Sequence, residues 1–304
     1  MDISRRRLLA TGAALSALTA CGAPVRRAEV VLLDSRETIE DQIAAVEDRH
    51  DVAVGLYGVN LADGPTLARR DHELFATCST FKAYVAGAIL HKDQLGELRL
   101  EDPVFIDPAA LVPVASPITQ PHVGGTLPLS VLAAAAVRQS DNTATNLMVG
   151  LLGGPPAITE FARLVGDDRT WMVRWEIELN SAIPGDPRDT TTPRAMGTGF
   201  LNMLTGPVLD EPHRVLLDEW MRTIVTGDRR IRAGLPPGWR IADKTGSGDY
   251  GTTNDIGVAS GPNGERLLLS VMTKTRSDDP KAANIDAAIA ETAALAVPRL
   301  LGRG

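Results

Sequence analysis

TCSTFKAYVAG, residues 77–87, sets Ser79 and Lys82 three positions apart in a run otherwise suited to burial. Phe81, Tyr84, Val85 and Ala86 are apolar or nearly so, so a lysine among them needs a reason. If Ser79 opens a helix, Lys82 lies one turn along on the same face. A serine hydroxyl is a weak nucleophile until something takes its proton. The plain alternative is a capping serine and a lysine whose head reaches solvent. Ser-x-x-Lys alone recurs by chance, so the surrounding sequence has to decide.

Bulk properties narrow the classes. The chain has 304 residues, enough for one large domain or two ordinary ones, and is 44% hydrophobic. A net charge of -7 argues against a nucleic-acid footprint and against adhesion to anionic membranes. Two cysteines make no disulfide scaffold, and no apolar run reaches transmembrane length. His50, His72, His91, His122 and His213 are scattered without ligand spacing, so no metal site is expected. Trp171 and Trp175 read as packing residues, and Gly153-Gly154 makes no phosphate loop.

The first residues read as an address. Ser4-Arg5-Arg6-Arg7 precedes a short run of small and apolar residues from Leu8 to Ala20, closed by Leu18-Thr19-Ala20-Cys21. That is the layout of an export signal over 1–21. The arginines resemble a twin-arginine signal, and the ending resembles a bacterial lipoprotein signal that lipidates Cys21. An ordinary signal peptide with an incidental cysteine is the alternative. Either way the protein is expected to work outside the cytoplasm, periplasmic or extracytoplasmic, with a possible lipid anchor. Residues 22–35 read as a tether.

Beyond the tether the chain opens helix, strand, strand. Ile39, Ile43 and Val46 recur at helical spacing within 36–50, and Val52, Val54 and Leu56 alternate. Ala62-Asp63-Gly64-Pro65 is a turn, from which a second strand returns. Residues 75–226 read mostly helical, with segments at Leu129–Arg138, Asn142–Leu152, Ala157–Val165 and Arg214–Val225. Trp175–Thr192, polar and proline-containing, reads as a long ordered loop. Strands return at Trp239–Asp243, Asp255–Ser260 and Arg266–Thr273, and a helix carrying Ile285, Ile289 and Leu295 closes the chain. The expected class is α+β. A discontinuous part (36–74 and 227–304) would build an antiparallel sheet of about five strands flanked by helices. An all-helical part (75–226) would face it across a cleft holding the active site.

Three further features give Ser79-x-x-Lys82 its meaning. Ser140-Asp141-Asn142 follows a helical segment, Lys244-Thr245-Gly246 follows a strand, and Glu176 lies between them in the long loop. With these motifs in this order, the chain from about Arg36 onward resembles a class A β-lactamase of the penicillin-binding protein-like superfamily. The resemblance implies a monomeric hydrolase without a cofactor, opening penicillins and cephalosporins through an acyl-enzyme on Ser79 and so giving antibiotic resistance.

The resemblance also implies roles. Lys82, Glu176 or both would take the Ser79 proton, and Ser140 would pass a proton to the leaving nitrogen. Lys244 would supply positive charge near Ser140 and the substrate carboxylate. Asn142, Thr245, Ser247 and Arg230 would bind substrate, and the backbone N–H groups of Ser79 and Ser247 would form an oxyanion hole. Glu176 and Asn180 would hold the deacylating water. Arg174 and Asp189 resemble the ion pair closing the loop; the alternative is two surface charges. The alternative for Arg230 is a solvated member of the run Arg229-Arg230-Ile231-Arg232.

The sequence departs from the family pattern in three places. Ile177 replaces the frequent proline after the glutamate, where the peptide bond is often cis. Val112-Pro113-Val114-Ala115-Ser116 carries no aromatic residue for the cleft rim. Where some relatives have a disulfide partner for the cysteine at this position, this sequence has Gly248, so that bridge cannot form and Cys78 reads as a small buried hydrophobe. Two rivals are a DD-peptidase acting on peptidoglycan stem peptides and a sensor that keeps its acyl group. Glu176 and Asn180 argue against the first, and the intact catalytic set argues against the second.

Overall fold

The two ends of the chain share one sheet. In the computed structural model, which describes residues 38–62 and 64–303, β1 (Val52–Asn60) pairs antiparallel with β9 (Arg266–Thr275), the last strand. The expectations for 1–21, Cys21 and 22–35 lie outside the described residues.

The element order is α1 (Ile39–His50), β1, β2 (Thr66–Arg69), β3 (Phe75–Ala76), α2 (Lys82–Gln94), β4 (Pro103–Phe105), β5 (Thr126–Pro128) and α3 (Leu129–Arg138). Then come α4 (Asn142–Leu152), α5 (Pro155–Leu164), β6 (Thr190–Thr191), α6 (Pro193–Thr205), α7 (Glu211–Arg222) and α8 (Ile231–Gly234). The chain returns through β7 (Arg240–Ser247), β8 (Thr253–Ser260) and β9 to α9 (Asp286–Leu300). The main sheet has five strands in the order β2-β1-β9-β8-β7, all antiparallel. The α+β class and the five-stranded sheet are as expected.

Alternation along the strands sends side chains to two cores. Val54, Leu56, Leu267, Leu269 and Val271 pack with Ile43 and Val46 of α1 and Ile289, Ala293 and Val297 of α9. Ala242, Ile256 and Met272 face the other way, into the cluster built by α2, α3, α6 and α7. A strand covered on both faces reads as a continuous buried run, and β8 is buried from Thr253 to Ala259.

Helix α2 explains the opening stretch. Lys82 to Leu90 are all buried, because other helices surround α2. Such a helix has no polar face. Lys82 is therefore a buried ammonium at its first turn, and the solvent-reaching alternative is excluded.

Several boundaries differ from the expectation. β7 continues through Lys244-Thr245-Gly246 to Ser247, where a strand ending at Asp243 was expected; those residues pair with Thr253–Ile256 across the ladder. α6 was not among the expected segments. It begins with Thr192 as a capping side chain and Pro193 in the first turn, a start signal at the very end of the segment read as loop.

Candidate active site

Ser79 sits in a single 3₁₀ turn, Cys78–Phe81, that runs directly into α2. This turn lies against the edge strand β7. A Cβ on Gly246 would come within 2.9 Å of the Thr77 carbonyl oxygen and 3.1 Å of the Thr80 nitrogen. Only glycine lets the two backbones approach so closely. Gly248 repeats the device, since its Cβ would fall 2.6 Å from both Cys78 Sγ and the Asn180 carbonyl oxygen. Cys78 is buried and free, with its thiol pushed up first by burial and then by the charge of Glu176.

Lys82 Nζ lies 3.0 Å from Glu176 Oε1, with neither side chain exposed. It donates to the Ser140 carbonyl oxygen (2.7 Å), to Ser140 Oγ (3.2 Å) and to Asn142 Oδ1. Burial pulls the Lys82 ammonium below its ordinary value, and the Glu176 carboxylate only partly restores it. Ser79 Oγ contacts Glu176 Oε1 at 3.5 Å. Ser140 Oγ also accepts from Lys244 Nζ at 3.3 Å, so this hydroxyl bridges two buried lysines. Ser140 holds that place with a left-handed backbone, φ 58°.

Asp141 explains why an aspartate stands between Ser140 and Asn142. It caps α4 through Ala144 N–H (2.8 Å) and accepts from Ile118 N–H, Thr119 N–H and Thr119 Oγ1 at 2.7–2.9 Å. A fully buried carboxylate so saturated ties the 118–119 segment to the helix start. Asn142 Nδ2 donates to the Val114 carbonyl oxygen at 2.9 Å, leaving one amide hydrogen free. The rim beside it is aliphatic: Val114 is exposed, as are Ile177 and Val225.

Residues 175–192 form a long loop with only a 3₁₀ turn, Glu178–Ser181, and the two-residue β6 inside it. Arg174 Nε donates to Asp189 Oδ2, while Asp189 Oδ1 accepts from Val173 N–H (2.7 Å) and Arg174 N–H (2.9 Å). Asp189 is fully buried, so this is a closing clamp and not a surface pair. The Glu176–Ile177 peptide is cis. Glu176 Oε2 accepts from Asn180 Nδ2 at 2.6 Å.

Sequence reasoning missed Asn146. Its side chain donates to the Glu176 carbonyl oxygen (2.9 Å) and accepts from the Glu176 N–H (3.1 Å). The available signal was its place one helical turn after Asn142.

Arg230 is not solvated. Its side chain is 8% exposed, against 87% for Arg229. It donates to the carbonyl oxygens of Gly246 and Asn254 (both 2.8 Å), to Asp286 Oδ1 (2.8 Å) and to Ser247 Oγ (2.6 Å). Thr245 Oγ1 meets Thr226 Oγ1 at 2.6 Å. Lys244 is fully buried; burial and then the charges of Lys82 and Arg230 lower it to about 7. Ser79, Ser140, Asn142, Asn180, Arg230, Thr245 and Ser247 line one cleft of about 960 Å³, with Lys82, Glu176 and Lys244 beneath it. Every anticipated active-site side chain is brought together; Arg174 and Asp189 stand at the loop base.

Comparison with known proteins agrees with this geometry. Residues 38–297 match the β-lactamase enzyme family. A β-lactamase of Amycolatopsis lactamdurans is 42% identical over 86% of this chain and 85% of its own length. The solved β-lactamase from Desulfarculus baarsii superposes with a TM-score of 0.83 at 46% identity, over 88% of this chain and 98% of that one. A class A β-lactamase reconstructed as the last common ancestor of Gram-negative bacteria gives 0.81 at 43% identity, over 86% and 98%.

Proposed function

We propose a mechanism from the premise that this chain belongs to the β-lactamase enzyme family, in its class A branch: it hydrolyses β-lactam rings and confers resistance to them. The observation that carries the mechanism is the Glu176 carboxylate, which joins Ser79, Lys82 and Asn180.

The Lys82 ammonium has three protons, and the Ser140 carbonyl oxygen, Asn142 Oδ1 and Glu176 Oε1 accept them. In that state it has no lone pair for the serine. Glu176 Oε1 therefore takes the Ser79 proton as Oγ bonds to the lactam carbonyl carbon, and passes it to Lys82 once that lysine has given up a proton through Ser140 Oγ. The carbonyl oxygen, now negative, sits between the backbone N–H groups of Ser79 and Ser247 on the free edge of β7. The carbon–nitrogen bond breaks, and the nitrogen receives a proton through Ser140 Oγ from the adjacent lysines. Lys244, Thr245, Ser247 and Arg230 hold the substrate carboxylate, and Asn142 offers its free amide hydrogen to the side-chain carbonyl.

For deacylation, a water between Glu176 and Asn180 gives its proton to Glu176 and attacks the ester carbon; the carbon–Oγ bond breaks, and Ser79 Oγ recovers that proton from Glu176, which restores the carboxylate. A peptidase or a sensor does not need this second site, and its assembly around Asn146 favours the lactamase.

The test follows benzylpenicillin loss and intact mass together. The parent should turn over and remain mostly free enzyme. Glu176→Gln should accumulate acyl-enzyme: without that carboxylate the buried Lys82 gives up a proton and serves as the acylation base, while deacylation loses its base and slows by roughly 10²–10⁴-fold. Unimpaired turnover in that variant would sink the assignment.

We further infer export and a lipid anchor at Cys21, on the strength of the basic start, the apolar run and the Leu-Thr-Ala-Cys ending. A diacyl mass increment on membrane-extracted protein is the readout, and its absence refutes the anchor. The chain is read as acting as a monomer.

A further inference from the structure

The sheet face opposite the Lys244 side chain holds two acids that acyl transfer leaves unused. Asp243 on β7 and Asp255 on β8 are both fully buried. The register pairs Asp243 with Gly257 and Thr245 with Asp255, so the two aspartates are diagonal neighbours on one face. Each has one oxygen occupied by a donor: Arg232 Nη2 donates to Asp243 Oδ1 at 2.9 Å, and Ile231 N–H donates to Asp255 Oδ2 at 3.0 Å. The remaining oxygens, Asp243 Oδ2 and Asp255 Oδ1, are buried and reached by no donor. The two side chains thus lie beside each other on one sheet face, each with an unpartnered oxygen. Two carboxylates can hydrogen-bond only if one of them carries a proton. Two buried like charges in contact cannot both stay ionised.

We propose that Asp243 and Asp255 share one proton and present a single negative charge behind Lys244, acting as positioning residues for that lysine's positive charge. Burial raises both carboxyls, Asp255 to about 6. The charges facing the pair are Arg232, itself paired with Asp228; Arg230, paired with Asp286 of α9; and Lys244 on the same strand. One negative charge helps to keep Lys244 protonated against its burial and against Lys82 and Arg230. The link to activity rests on the reading of Lys244 given above; the shared proton does not.

The first arm is carboxyl ¹³C NMR of aspartate-labelled protein at pH 7. One protonated aspartate signal is expected, lost in both Asp243→Asn and Asp255→Asn. In either single variant the amide N–H replaces the shared proton, so the urea midpoint should change little. In the double variant both amide oxygens are claimed by Arg232 and Ile231, which sets NH₂ against NH₂. Its midpoint should fall well beyond the sum of the singles. Absence of the protonated signal, with each Asn variant as damaging as Asp255→Ala, overturns the shared proton.

The second arm is the alkaline limb of kcat/KM for benzylpenicillin, measured below each variant's midpoint. It should stay in place in the singles and move about one pH unit toward acid in the double variant, which loses the charge. A limb that shifts in the singles shows two charges in the parent, and one that stays put in the double variant breaks the link to Lys244. A parent that fails to hydrolyse benzylpenicillin refutes the lactamase reading, while the NMR signal still judges the proton.

Discussion

Ser140 and Lys244 show how much a single side chain's surroundings decide. A serine in a left-handed conformation puts its hydroxyl between two buried ammonium groups, where it can pass a proton in either direction. Lys244 is lowered by burial first, then by Lys82 and Arg230, to about 7. Attraction of a substrate carboxylate needs the charged form, so kcat/KM should fall as pH rises through that value. A bound carboxylate restores the ammonium, so kcat should hold to higher pH. Parallel profiles for the two constants, or a kcat/KM that is flat to strongly alkaline pH, would show that Lys244 is not the titrating cation. These residues were legible in the sequence because each sits in a short motif. Asn146 was not, because an asparagine that holds another residue's peptide group leaves no mark beyond its spacing.

At the scale of elements, the loop over 175–192 stays in place without regular structure because its base is clamped. Asp189→Asn keeps the shape but removes the charge that Arg174 pairs with, and Asp186 is 3.7 Å from that arginine and only partly compensates. Urea unfolding should show a loss of about 3 kcal/mol. Deacylation should suffer more than acylation, because Glu176 and Asn180 ride on the loop. A variant as stable and as active as the parent would mean that packing alone holds it. Strand β7 teaches a different lesson: it runs past the stretch Trp239–Asp243 read from sequence and takes in Lys244-Thr245-Gly246, because ladder partners on β8 supply what local propensity does not. Helix α6 was hidden for a similar reason, its start signals falling at the end of a segment dominated by polar loop residues.

Across the whole molecule, α2 is the shaft on which the site is mounted, with Lys82 at one end and Asp93 near the other. His213 of α7 ties that far end down, bonding Asp93 Oδ2 at 2.8 Å and Asp210 Oδ1 at 2.6 Å. Burial lowers the imidazole, but the two aspartates outweigh it and its value is raised. Because the folded value exceeds the unfolded one, near 6.5, the stabilisation is complete below about pH 6.5 and is lost as pH rises through the folded value. The melting temperature should therefore decline as pH rises from about 6.5 through the folded value, and His213→Gln should flatten that decline. An equal slope in parent and variant would remove His213 as its source.

The sequence by itself determined the class of fold, the order of its main elements and the site residues that sit in motifs. Hydrophobic period and motif spacing are local properties, written wherever the chemistry is written. Only the tertiary structure decided that Lys82 is buried, that Arg230 is anchored beneath Ser247 and that Glu176 bridges nucleophile and lysine. It alone set two aspartates face to face behind Lys244. Those facts depend on what covers a residue and what stands across a strand or a cleft, which is fixed by contacts between segments far apart in the chain.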